Sequence, residues 1–205
     1  MRRAALLMLA CGLMASGPAA ADTPRLKAEQ LAFGERAMRD IALCIAKHHR
    51  EAAIKLLDTD PASEAAARSM LQMASQDCGN TMPVAFKVDG DVLRGAVAEQ
   101  LYLRSFPTPP ADLHAAPVGP VTAPGDPRRA RYDVGACVAA RTPLAADAML
   151  RAGRRTPEER AAGAVLAPAL NACARTHVDF TGGQLHGALA EALFKLRASS
   201  ARGTS

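Results

Sequence analysis

The chain has no tryptophan, two tyrosines and five phenylalanines among its 205 residues. So few flat side chains leave almost no platform for stacking nucleic-acid bases. They also thin the core, because aromatic residues bury the most area per side chain. Strong charge of one sign is lacking too: the formal net charge is +5, a mild balance and not the footprint of a nucleic-acid binder. After residue 21 no long uncharged apolar run occurs, so no transmembrane segment is expected. Catalytic signatures are missing as well. There is no GxSxG elbow, HExxH, P-loop or CxxC pair. The sequence therefore predicts no catalytic residue, no metal and no cofactor.

What is present begins with an export signal. Arg2 and Arg3 precede an apolar run from Ala4 to Ala15, Gly17-Pro18 breaks it, and Ala19-Ala20-Ala21 offers small residues for cleavage. That order favours a cleavable signal peptide over residues 1–21 rather than a buried helix. The mature chain then starts near Asp22, with 205 − 21 = 184 residues and charge +5 − 2 = +3. Cys11 is a poor lipidation site, since Met8-Leu9-Ala10 is a weak lipobox lying very early. The expected location is periplasmic or secreted. Four of the five cysteines survive processing. An even count in an oxidising compartment argues for two disulfides over buried thiols.

The chain repeats itself. RAMRDIALCIA (36–46) matches RARYDVGACVA (129–139) at an offset of 93, and LRGAVAEQLY (93–102) matches LHGALAEALF (185–194). Between them Asp60-Pro61 matches Thr156-Pro157, Cys78 matches Cys173, and the Val84–Phe86 segment matches Val178–Phe180. Seven of the fourteen prolines fall within residues 105–128, a composition that excludes helix and sheet interior and suits an extended linker. The predicted organisation is all-α. Two tandem homologous three-helix units, residues 22–104 and 129–198, are joined by the proline-rich linker 105–128 and followed by a disordered polar tail, 199–205.

Within each unit the expected elements are helices A, B and C. Helix A spans about Ala28 to Leu57, with Met38, Ile41, Ile45, Ala52 and Leu56 at helical spacing. Its second copy is expected to restart at Pro143 with Thr142 as cap. Helix B opens at Asp60-Pro61 or, with a capping box, at Thr156-Pro157-Glu158-Glu159, and Pro168 should kink it. Asp89 or Asp91, and Thr181, are candidate caps for helix C. If A and B form an antiparallel hairpin, Cys44 and Cys78 reach nearly the same height, as do Cys137 and Cys173. All three possible pairings respect the repeat. Height favours the local pairs Cys44–Cys78 and Cys137–Cys173, which would close each unit. Disulfide formation also competes with any metal at the i,i+4 pairs Cys44/His48 and Cys173/His177.

Helix C is the most distinctive segment. Leu93, Val97 and Leu101, like Leu185, Leu189 and Leu193, form one apolar face. Gly95, Glu99 and Tyr102, like Gly187, Glu191 and Phe194, form a second. A helix with two such faces is central in its unit, with Glu99 and Glu191 semi-buried. Two carboxylates could bind a cation or serve as acid and base. The plainer expectation is that each pairs with a nearby cation, as Glu191 can with Lys195 one turn on. Function is accordingly expected to be noncatalytic: an exported helical protein binding an envelope protein or a cell-wall component. The alternatives are a small periplasmic enzyme using Glu99 or Glu191, and an envelope stress chaperone.

Overall fold

The structure, a computed structural model, describes residues 23–78, 89–122 and 125–203. The signal peptide, Asp22, Cys11 and the Val84–Phe86 match lie outside the described residues. The chain divides into two compact units, Met1–Phe33 and Gly34–Ser205. The described part of the first is the start of helix α1 (Thr23–His48). The rest of α1 leads into α2 (Arg50–Leu57), α3 (Glu64–Met73) with a π-helical turn at Ala74–Cys78, and α4 (Gly90–Ser105). Then come α5 (Pro127–Arg141), α6 (Pro143–Arg151), α7 (Pro157–Cys173) and α8 (Gly182–Gly203). The protein is all-α; among the described residues the only β feature is an isolated bridge between Val121 and Ala174.

Several element ends differ from expectation, each for a local reason. Helix A divides at His49, whose φ of −123° and ψ of 30° leave the helical region. The matched break, at Thr142, precedes Pro143, whose missing N–H and ring oppose helix continuation. Thr142 makes no side-chain cap there, and its hydroxyl donates back to the Val138 carbonyl at 3.0 Å. Asp60 does not cap α3. It accepts from the Ala62 amide at 3.0 Å, and the Ser63 amide donates to the Asp60 carbonyl, closing a turn with Pro61 at its second position. Ser63 is the cap, accepting from Ala66.

At α7 Thr156 accepts from the Glu159 amide at 3.1 Å, but the Glu159 carboxylate takes the Arg155 amide, so the predicted box is only half made. Helix α7 continues through Pro168. Asp89 caps α4. Helix α8 runs on to Gly203, where the sequence suggests a polar tail.

The core is one cluster of mostly small and aliphatic side chains, among them Ile41, Ile45, Leu57, Met70, Val134, Val138 and Leu166. The shortage of aromatics is met by close helix approach rather than by bulk. Helices α4 and α8 pack most extensively, with α5 also against α8 and α6 against α7. Cys44 bonds Cys78 and Cys137 bonds Cys173, each with Cα atoms 5.8 Å apart. This arrangement is consistent with two disulfide-closed units. Two such bonds suit an oxidising compartment. Among the described residues no helix is long and apolar enough to cross a membrane.

Candidate functional site

The helix C segments come together as α4 and α8, and they touch at their glycines. A Cβ built on Gly95 would lie 2.7 Å from the Gly187 Cα, and one on Gly187 would run into Gly95 as closely. Neither position therefore accepts a side chain without a backbone shift. On the apolar faces Leu93, Val97, Leu101, Leu189 and Leu193 are fully buried, while Leu185 is half-buried.

Close approach of the backbones lets polar side chains reach across. Glu191, 2% exposed, accepts two bonds from the Arg94 guanidinium, Nε at 2.8 Å and Nη2 at 2.9 Å. It also accepts one from Lys195 Nζ at 2.7 Å. Arg94 further donates to the carbonyls of Leu56, Leu57 and Thr59 at 2.9–3.0 Å. Leu56 and Leu57 are the last residues of α2 and Thr59 lies in the turn after it; carbonyls at a helix end lack the amide partner that the next turn would supply. Arg94 thus ties the end of α2 to the centre of α8 through a bidentate, charge-assisted pair. Burial alone would push the guanidinium down, but Glu191 more than offsets it and holds Arg94 above its ordinary value. Tyr132, stacked 5.5 Å from Arg94, is held well above the ordinary tyrosine value, first by burial and then by the charges of Glu191 and Asp91.

Glu99, at the position matched to Glu191, has different company. It accepts from Arg154 Nη2 at 2.7 Å and stands 3.8 Å from His186 Nδ1. His186 occupies the position matched to Arg94, so both helices present a nitrogenous side chain to the other's glutamate. His186 is 1% exposed, with Nε2 2.7 Å from the Glu159 carboxylate. That contact is misaligned, and neither ring nitrogen has a hydrogen-bond partner among the described residues. Burial, then the Arg154 charge, lower the His186 pKa from its ordinary value, with Glu99 and Glu159 pulling the other way.

Tyr102 and Phe194 also diverge. The Tyr102 hydroxyl donates to the buried Asp147 carboxylate, which pairs with Arg151 at 2.8 Å. Burial and Asp147 raise the phenol above its ordinary value. Phe194 instead faces Phe106, with ring centroids 6.1 Å apart, and borders an open groove of about 330 Å³. The two Cys/His pairs are spent: Cys44 and Cys173 are in disulfides, and the exposed His177 contacts Asp179 at 2.9 Å.

Of the predicted site residues the structure brings Gly95, Gly187 and Glu191 together with Arg94, and sets Glu99 beside His186. Arg94, His186 and Asp147 are the residues that sequence reasoning missed. Arg94 and His186 were detectable because they share one column of the helix C match. No family model, curated protein or solved structure matches the chain.

Proposed function

We propose that the chain is a noncatalytic, exported helical binding protein of the bacterial envelope. The observation that carries this reading is the state of Glu191. The most buried of the candidate carboxylates holds Lys195 and Arg94, and Arg94 in turn anchors the end of α2, which is a structural task and not a reactive one. Two disulfides support an oxidising destination, and Ala19-Ala20-Ala21 supplies the signal-peptidase site that a periplasmic or secreted chain needs. An envelope protein or cell-wall component is the partner class, and nucleic acid is disfavoured by the missing aromatics.

One observation favours a second reading, a small enzyme. Glu99 lies beside His186 with Arg154 bound to it, so a carboxylate, an imidazole and a cation share one neighbourhood. Glu99→Gln and Glu191→Gln, tested singly for capture of envelope components and for thermal melting, separate the two. Binding is expected to survive in both, with melting lowered chiefly in Glu191→Gln. Loss of an activity in Glu99→Gln at unchanged melting would instead make Glu99 the site. N-terminal sequencing of exported protein should begin near Asp22; a mature N-terminus at a lipidated Cys11 would refute that cleavage.

A further inference from the structure

The groove bordered by Phe194 lies between α2 and the ends of α4 and α8. Ile54, Phe106, Phe194 and Ala198 give it apolar walls, and Arg50 and Lys195 stand at it with Ser105 and Asp58. Its volume, about 330 Å³, falls at the small end of the range of about 300–1,000 Å³ for small-molecule sites. The matched place in the other half of the sequence is closed. There Tyr102 and Asp147 are bonded to each other and buried. Arg151 lies over them, donating to the carbonyls of Phe106 and Pro107 at 2.7 and 2.9 Å. In the groove, by the same sequence match, Phe194 replaces Tyr102, Ile54 replaces Asp147 and Asp58 replaces Arg151. The polar plug has become an apolar lining.

Charge around this lining is unbalanced. Arg94 and Lys195 share the single Glu191 carboxylate. Of the charged side chains that line the groove, Arg50 and Lys195 are cations and Asp58 is the anion. Arg197 adds another cation, 4.4 Å from the Phe106 ring centroid. Lys195 spends one donor on Glu191 and Arg50 one on Ser105, so an ammonium with three donors and a guanidinium with five both keep capacity.

We propose that this groove is a binding site for a small amphipathic carboxylate. Its apolar body would lie against Ile54, Phe106 and Phe194, and its anionic head would be met by Lys195 and Arg50. This deepens the binding-protein reading and rests on it.

The test is titration of the whole mature protein with octanoate, and separately with octylammonium, both below their micelle concentrations. Calorimetry and amide chemical shifts give the readout. Octanoate should bind saturably, shifting resonances around Ile54 and Phe194, and octylammonium should bind at least about tenfold more weakly. Lys195→Gln and Arg50→Gln change exposed side chains and should each weaken octanoate roughly tenfold, with octylammonium not weakened. Ala198→Phe should fill the groove and abolish both; if that variant does not fold, the two charge variants decide. The proposal fails if octanoate binds no tighter than about 1 mM, if the two probes bind alike, or if neither charge variant weakens octanoate. Capture of an envelope partner by a chain indifferent to octanoate would sink the groove while leaving the binding-protein reading standing.

Discussion

Gly95 and Gly187 are each other's nearest obstacle: a Cβ on Gly95 would sit 2.7 Å from the Gly187 Cα. Backbone cannot step aside as a flexible side chain would, so α4 and α8 would have to separate, and the Arg94–Glu191 pair spans the same contact. Gly95→Ala and Gly187→Ala should each destabilise by about 1–3 kcal/mol or more through overpacking. Gly163, inside α7 with nothing within 4 Å of an added Cβ, is the control. Gly163→Ala should stabilise by up to about 1 kcal/mol through helix propensity. Chemical denaturation of the three variants checks both signs, and equal effects at all three would rule out the close approach.

The buried ion pair should be asymmetric under mutation. Arg94→Met leaves the buried Glu191 with Lys195 alone and frees the carbonyls of Leu56 and Leu57, so it should cost about 3–5 kcal/mol. Combining it with Glu191→Leu removes the under-paired charge and should recover a large part of that loss, because well-packed apolar replacements of buried pairs are often tolerated. Denaturation midpoints of the single and double variants decide it; a double variant no better than Arg94→Met would show that the α2 carbonyls, not Glu191, set the cost.

How much of this was legible in the sequence depends on the range of the interaction. The helices and the disulfides follow from periodicity and from height along a hairpin, both local to each unit. The two-faced pattern of Leu93, Gly95, Val97 and Glu99 likewise marks α4 as central before any packing is known. The partner of Glu191 was not legible beyond Lys195 on its own helix, because Arg94 lies 97 residues away. Periodicity assigns a face but not the residue opposite it. The break at His49 carries no proline or glycine, so nothing local announces it. In the sequence Asp147 has only Arg151, one turn on, as a local partner, and Tyr102 arriving from α4 completes its buried contacts.

Cleavage of the segment between α4 and α5 should leave two disulfide-closed fragments that remain together. Their contact is the long α4–α8 interface, and after a cut beyond Val121 the bond of that residue to the end of α7, 2.8 Å, also joins them. Native size-exclusion of nicked protein should show one species, and unreduced denaturing electrophoresis should show two. A single unreduced band after complete cleavage would mean a bond between the fragments. Cys44→Ser or Cys137→Ser should each cost about 2–5 kcal/mol.

His186 makes stability depend on mild acid. Helix α4 brings Glu99 to it, α7 brings Glu159, and the turn before α7 brings Arg154. Burial first, and the Arg154 charge second, lower its folded pKa, and the two carboxylates do not offset them. The unfolded ring titrates at about 6.5. Above that value the ring is neutral in both states and its contribution to stability is complete. As pH falls below it, the unfolded chain takes up a proton that the folded chain resists, so stability declines until the folded pKa is passed. The melting temperature should therefore drop between about pH 7 and pH 5, a window above most carboxylate titrations. His186→Asn keeps a polar side chain of related shape without the titration, so its curve over that window should be flatter than that of the unmodified protein. Proton resonances of the ring, assigned by comparison with the variant, should titrate below about 6.5, the value of an unperturbed imidazole. A melting temperature that rises on acidification, or a variant with the same slope, would show that Glu99 and Glu159 outweigh burial and that the imidazole is held charged in the fold.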